Sequence, residues 1–220
     1  MCPILKSVSS IYKNESHKVR IHNFIRAHTC PFEKISEYIG PSQNILDLGC
    51  GNGLFMSYLS VTKSPLHLTG IDISKSSIDV ARRSSTINKS FLFTVGDICE
   101  PKNLIGKEGR FDCILAIDSL YFLPVDKQRR MLQQCLGLLK EGGVLLIKTI
   151  NRKPLLKYWF CTIQDCIAML FLRLYPRKGI HVLRQPELRS LIVDSGFTRI
   201  KEIYLGKGYL YPHMLYVCQK

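Results

Sequence analysis

The sequence predicts an α/β fold: a doubly wound sheet of about seven strands, the last antiparallel, with helices on both faces and an N-terminal helical cap. Three observations predict it. Short apolar runs alternate with helix-length segments between residues 45 and 150, the pattern of βαβ units around a parallel sheet. Runs such as Cys113-Ile-Leu-Ala-Ile117 are apolar throughout, which fits a sheet covered on both faces. The stretch Ile45-Leu-Asp-Leu-Gly-Cys-Gly-Asn-Gly-Leu-Phe55 runs a strand into alternate glycines and straight on into a helix. Glycine there supplies φ > 0 and the missing Cβ, and the helix start offers unpaired N–H groups to a ligand.

Taken in order, residues 1–16 carry few apolar positions and read as a loose lead-in. From His17 to Ile39 the residues Val19, Ile21, Phe24, Ile25, Phe32, Ile35, Tyr38 and Ile39 recur at helical spacing, divided by Pro31 into two helices. Gly40-Pro41-Ser42 stops the second. Residues 1–42 are therefore expected to cap one edge of a domain formed by residues 43–220. Strands are predicted at Ile45–Gly49, His67–Ile71, Phe91–Gly96, Phe111–Ile117 and Gly143–Ile150. Helices are predicted at Leu54–Ser60, Lys75–Asn88 and Val125–Lys140, the last ended by Lys140-Glu-Gly-Gly143 in a left-handed cap. A long apolar helix, Pro154–Tyr175, and a further helix, Pro186–Ser195, follow. Phe197–Leu205 and Leu210–Cys218 then read as an antiparallel hairpin linked through Gly206-Lys-Gly208.

Composition narrows the class. The 220 residues are 46% hydrophobic and 22% charged, values of a globular chain with one domain and a modest appendage. Net charge is +14, and residues 150–220 hold twelve Lys/Arg against four Asp/Glu. That basic tail serves solubility, or meets membrane headgroups, a phosphorylated small molecule or RNA. Nine cysteines without a C-x-x-C pair give neither a disulfide framework nor a zinc site. No His/Asp/Glu cluster has ligand spacing either, so no metal is expected. The start lacks the apolar core of a signal peptide, and no stretch reaches the roughly 18 apolar residues that span a bilayer. A cytoplasmic protein is expected.

In an open parallel sheet, ligands bind beyond the carboxyl ends of the strands. The residues there are Asp47–Gly53, Asp72, Gly96-Asp97-Ile98, Ile117-Asp118-Ser119 and Lys148-Thr149. A P-loop is excluded because no Gly-Lys-Ser/Thr follows the glycines. Leu54 stands where a dinucleotide-binding Gly-x-Gly-x-x-Gly wants Gly or Ala. Asp118, Lys148 and His213, the last starting the final antiparallel strand, are placed at one sheet edge and are candidates for one catalytic pocket, with Tyr121 as a fourth and Tyr209 and Tyr211 nearby. The plainer alternatives are a surface charge for Lys148 and a hairpin-turn residue for His213.

Ile45–Gly53, Gly70–Ile73, Gly96–Ile98, Phe111–Asp118 and Leu138–Lys148 together resemble, in order and spacing, the successive motifs of class I S-adenosylmethionine-dependent methyltransferases, which have a Rossmann-like fold. The resemblance covers residues 43–150, with the C-terminal hairpin also fitting. It implies that Gly49, Cys50 and Gly51 let backbone approach the amino-acid end of the cofactor while Asp47 helps hold its ammonium. Asn52 and Gly53 complete that turn. Asp72 would accept from both ribose hydroxyls; a strand-end cap is its plainer reading. Asp97 would accept from the adenine amine and the Ile98 N–H would bond a ring nitrogen, although a turn cap fits Asp97 too. Ile71, Ile73 and Ile98 would sandwich the adenine, and Ile117 is counted with the cofactor-binding residues.

The acceptor is less legible. Asp118-Ser-Leu-Tyr121 lacks the Asn/Asp-Pro-Pro-Tyr/Phe pattern of many base and amide methyltransferases, and the run to Pro124 looks more like small-molecule members. The tail from Gly206 to Tyr216 resembles bacterial members with lipid or polyketide-type products. Within an insertion spanning about residues 153–180, Leu155, Trp159, Ile163, Cys166, Leu170 and Leu174 form one apolar stripe. It fits either a helix packed on the sheet edge or a lid that admits an apolar acceptor near lipid headgroups. The expected activity is methyl transfer, O-methylation favoured, to a small, partly apolar acceptor, with peripheral membrane contact through the basic C-terminal third. An RNA methyltransferase is the alternative. An inactive binding protein on the same fold is the third, and the intact Asp47, Gly49, Gly51, Asp72 and Asp97 argue against it.

Overall fold

The computed structural model of the chain describes residues 3–41, 44–63, 67–84, 91–105, 110–152, 154–157, 159, 163 and 179–220. Three helices lead in: α1 (Pro3–Ile11), α2 (His17–Thr29) and α3 (Phe32–Ser36). The alternation follows as β1 (Asn44–Leu48), α4 (Leu54–Thr62), β2 (His67–Asp72), α5 (Lys75–Ser84), β3 (Phe91–Val95), α6 (Pro101–Ile105), β4 (Phe111–Ile117), a 3-10 turn at Leu120–Phe122, α7 (Val125–Leu138) and β5 (Leu139–Ile150). The chain closes with α8 (Gln185–Asp194), β6 (Arg199–Tyr204) and β7 (His213–Gln219). The sheet runs β3-β2-β1-β4-β5-β7-β6. β1 to β5 pair in parallel and β7 lies antiparallel to β5 and β6.

Side chains alternate across the strands, so neighbours serve opposite layers. Ile45 joins Phe32, Ile35, Leu54, Phe55, Leu59 and Ile78 on one face. Leu46 joins Met131, Leu132, Cys135, Leu188 and Ile192 on the other. Among the described residues, Cys30, Cys50, Cys99, Cys113, Cys135 and Cys218 are free and buried.

Three expectations are corrected. The loose lead-in is helix α1, packed on α4, with Val8 and the following Tyr12 buried four residues apart on one face. The cap predicted at Lys140–Gly143 is a strand irregularity: α7 ends at Leu138, Leu139 already pairs with Phe111, and the ladder resumes at Cys113 with Val144. Gly142, at φ 73, lies in that bulge. The hairpin link runs over residues 205–212, longer than the three-residue turn expected. Of the predicted helix Pro154–Tyr175, Leu155, Leu156, Trp159 and Ile163 are exposed, and most of the rest lies outside the described residues. Among the described residues no helix is long and apolar enough to cross a membrane.

Candidate active site

The strand order reverses between β1 and β4, and a crevice opens at that switch point. It is a cavity of about 570 Å³ lined by Asp47 of β1 and Gly49, Cys50, Gly51 and Asn52 after it, by Asp72 and Ile73 at the end of β2, by Asp97 and Ile98 after β3, and by Ile117, Asp118 and Ser119 at the end of β4. That volume suits a drug-sized ligand. Phe32, Phe55, Phe122, Leu123 and Pro124 supply apolar wall, and Lys127 stands with them. Gly53, beside the lining, is the left-handed residue before α4.

The glycine turn is built for close approach. Gly49, Gly51 and Gly53 have φ of 86, 53 and 74, values that L side chains avoid. A Cβ on Gly49 would meet the Ser119 Cβ at 2.5 Å, whereas one on Gly51 would project into open space. Asp72 braces this turn: Oδ2 accepts from the Gly51 N–H at 2.8 Å and Oδ1 from the Ser74 N–H at 2.8 Å. Burial raises its pKa, opposed by those two N–H donors. Asp97 accepts from the Cys99 N–H at 2.9 Å and lies 3.7 Å from Lys127 Nζ. Each carboxylate thus serves as a turn cap and retains lone pairs for a ligand. Asp47 is fully buried, and burial followed by the Asp72 charge pushes its pKa up to about 7, with Arg26 opposing.

Three of the predicted catalytic residues, Asp118, Lys148 and His213, are brought together, with Asp118 in the cavity wall and the other two buried behind it. Lys148, 1% exposed, places Nζ at 2.6 and 2.7 Å from the two Asp118 oxygens. The surface-charge reading of Lys148 is therefore wrong. Asp118 is the one non-glycine residue with positive φ among the described residues, at φ 57. Its Oδ2 also accepts from Arg26 Nη1 at 2.6 Å. Burial alone would raise the Asp118 pKa; Lys148 and Arg26 outweigh it and hold the carboxyl well below the usual carboxylate range. His213 is 1% exposed, and its Nε2 donates to the Thr29 carbonyl at 2.7 Å. Burial, then Lys148, pushes its pKa down to about 3. Tyr121 packs with Ile150 and Val182. Of the four predicted catalytic residues, only Asp118 lines the cavity.

What the sequence missed is the roof. His22, Asn23 and Arg26 of α2 face the cavity, while the apolar Ile21, Phe24 and Ile25 of the same helix are exposed. Apolar periodicity points such a helix the other way round. The available signal was polar: Asn23 and Arg26 stand three residues apart, on one helical face. Asn23 Nδ2 and Ser119 Oγ are buried without a protein partner, and both residues line the cavity. Buried polar atoms of this kind call for a ligand or water. Among the described residues no His/Cys/Asp/Glu group could hold a metal ion.

The glycine turn, the acids at or near successive strand ends and the reversed last strand define a Rossmann-like α/β domain with a crevice at the switch point. Residues 45–143 match the family model described as methyltransferase domain. The chain is 33% identical over 165 residues to a ubiquinone biosynthesis O-methyltransferase of Coxiella burnetii, across 73% of this chain and 65% of that protein. It thus spans just under two thirds of that curated relative's length. An O-methyltransferase family protein from Burkholderia thailandensis superposes with a TM-score of 0.67 at 21% identity, over 86% of this chain and 55% of that one. A SAM dependent methyltransferase from Archaeoglobus fulgidus gives 0.67 at 14% identity, over 90% and 93% of the two chains. These two structures share the fold. Residues 45–143 are thus similar to the methyltransferase domain, on a fold shared with S-adenosylmethionine-dependent methyltransferases.

Proposed function

We propose that the cavity binds S-adenosylmethionine and that the chain transfers its methyl group to an oxygen of a small, partly apolar acceptor. The observation that carries this is the convergence of Asp47, Asp72, Asp97 and Arg26 with the glycine turn on one cavity. A zwitterionic amino-acid end needs an anion and a cation, and Asp47 and Arg26 supply them at one end of the crevice. Gly51, with no Cβ, leaves room for that end against the backbone. Asp72 would accept from the ribose hydroxyls with its remaining lone pairs, and Asp97 from the adenine amine between Ile73 and Ile98. Asn23 Nδ2 and Ser119 Oγ would donate to the bound molecules.

When bound, the cofactor supplies a methyl group on a sulfonium, already paired with a good leaving group. The chain's contribution is to orient the acceptor and exclude water. The naming of the Coxiella burnetii relative favours oxygen as the acceptor atom. The exposed Ile21, Phe24, Ile25, Leu155, Leu156 and Trp159 and the basic last third support an apolar acceptor met near an anionic lipid surface. Label from methyl-tritiated cofactor, offered separated small-molecule, lipid and RNA pools, is expected in the first two. Label confined to RNA would sink the proposal.

Asp47 gives this reading a pH signature. Its folded pKa lies above the ordinary 3.8, so its contribution to stability is full below 3.8 and is lost as pH rises through about 7. A ligand ammonium favours the ionised form. Adenosylhomocysteine is therefore expected to bind up to about tenfold more weakly per unit of pH below that midpoint. Calorimetry at several pH values checks this, and Asp47→Asn should flatten the dependence.

A further inference from the structure

We propose that His22 is the general base of the transfer, accepting at Nε2 the proton of an acceptor hydroxyl, and that the acceptor is an alcohol or phenol that enters the site un-ionised. The inference rests on the methyl-transfer reading above and deepens it. O-methylation of a hydroxyl must dispose of a proton, and the residues singled out for that task are spent. Asp118 is chelated by Lys148 and held by Arg26. His213 is sealed below, with Nε2 on the Thr29 carbonyl, and Tyr121 lies in a separate apolar cluster. Among the described residues, His22 is the one histidine that lines the cavity.

A chain of side chains biases its tautomer. Asn52 Nδ2 can only donate, and it meets Asn23 Oδ1 at 3.2 Å. His22 Nδ1 lies 3.4 Å from the same oxygen, an acceptor only, so this contact favours the ring proton on Nδ1 and a free lone pair on Nε2. Asn52 is in turn braced through its carbonyl, which accepts from the Tyr12 hydroxyl at 2.9 Å. The base is thus tied to the glycine turn that seats the cofactor. The charged groups that share its cavity are Arg26 on its own helix, Asp47 of β1, Asp72 of β2, Asp97 after β3, Asp118 after β4 and Lys127 on α7. Burial and then Arg26 keep the imidazole below the usual histidine value of 6.5, so the free-base form prevails at neutral pH.

In the step itself an acceptor oxygen lone pair forms the new O–C bond. The methyl–sulfur bond breaks with its electron pair passing to sulfur, and the O–H proton passes to Nε2. The positive charge lost from the sulfonium appears on the imidazolium, which returns its proton to solvent. One proton, one methyl group and one positive charge are accounted for on each side.

Two measurements on the full chain decide the matter. Nitrogen-15 histidine spectra, assigned with His22→Gln, should show the Nδ1–H tautomer and a midpoint below 6.5. The His22 signals should shift when catechol is added to the adenosylhomocysteine complex. An Nε2–H ring, a midpoint at or above 6.5, or no response to catechol overturns the assignment. With catechol as acceptor, His22→Gln should lower kcat by about 10²–10⁴ while adenosylhomocysteine affinity is unchanged. The residual rate should climb with pH as the phenol ionises by itself. An unaltered kcat and pH profile also overturns it. Should the wild type bind adenosylhomocysteine but move no label onto catechol, the assignment of His22 as base toward a phenol is overturned, whereas failure to bind adenosylhomocysteine would overturn the methyl-transfer reading itself.

Discussion

Lys148→Met is expected to remove about 3–5 kcal/mol of folding stability, the cost of stranding one partner of a buried ion pair. Lys148 is 1% exposed and Asp118 9%, with contacts of 2.6 and 2.7 Å that leave no room for water between them. Arg26 remains as a partner, but its side chain is 26% exposed and belongs to a helix outside the sheet. Urea midpoints at unchanged m-value give the number. A shift below the ~1 kcal/mol of an ordinary surface pair would contradict the account. The sign of the pH dependence is a second check. In the wild type the depressed Asp118 pKa contributes stability that is present above 3.8 and is lost only in strong acid. Without Lys148, burial drives that pKa upward, so the variant's deficit should narrow as pH falls and Asp118 takes a proton. Adding Asp118→Asn should recover much of the loss, because Asn also tolerates the left-handed backbone at this position.

That buried pair marks where sequence reasoning reached its limit. A parallel sheet sends every strand end to one edge, so Asp47, Asp72, Asp97 and Asp118, acids at or near the ends of apolar runs, are legible as candidates, and all four line the cavity. The same logic brought Lys148 and His213 to the right edge, through the antiparallel β7. It could not tell whether a side chain at a strand end rises into the crevice or drops into the layer below. Pairing decides that: Lys148 drops because Asp118, in its unusual backbone conformation, turns its carboxylate onto the ammonium. Helix α2 was hidden for a different reason. Apolar spacing assigns Ile21, Phe24 and Ile25 to a buried face, yet these are 60%, 57% and 44% exposed. The helix is held by polar contacts instead: Arg26 on Asp118, Asn23 on Asn52, and the Thr29 carbonyl on His213. Helix α1 escaped because one short segment with Val8 and Tyr12 buried gives periodicity little to work on.

Held by polar contacts over the cavity, α2 makes ligand binding depend on the turn it faces, and Asp72 is the residue on which that turn hangs. Asp72→Ala is expected to weaken adenosylhomocysteine binding by roughly 100-fold or more, since hydrogen bonds to a charged group contribute about 1.5–3 kcal/mol each. Two effects combine. The ribose would lose its acceptor, and the Gly51 and Ser74 N–H groups lose the carboxylate that fixes them at 2.8 Å. Asp72→Asn separates the two, because one amide oxygen can brace a single N–H or accept a single hydroxyl, so an intermediate loss is expected. The fold itself should survive, as water entering the cavity replaces the carboxylate at both N–H groups. The same substitution removes a negative charge that raises the Asp47 pKa, so the residual affinity should reach its plateau at lower pH than in the wild type. Calorimetry across pH reads both quantities. An Asp72→Ala protein with wild-type affinity would mean that the sugar is held elsewhere, and the assignment of the crevice would have to be redrawn from Arg26 outward.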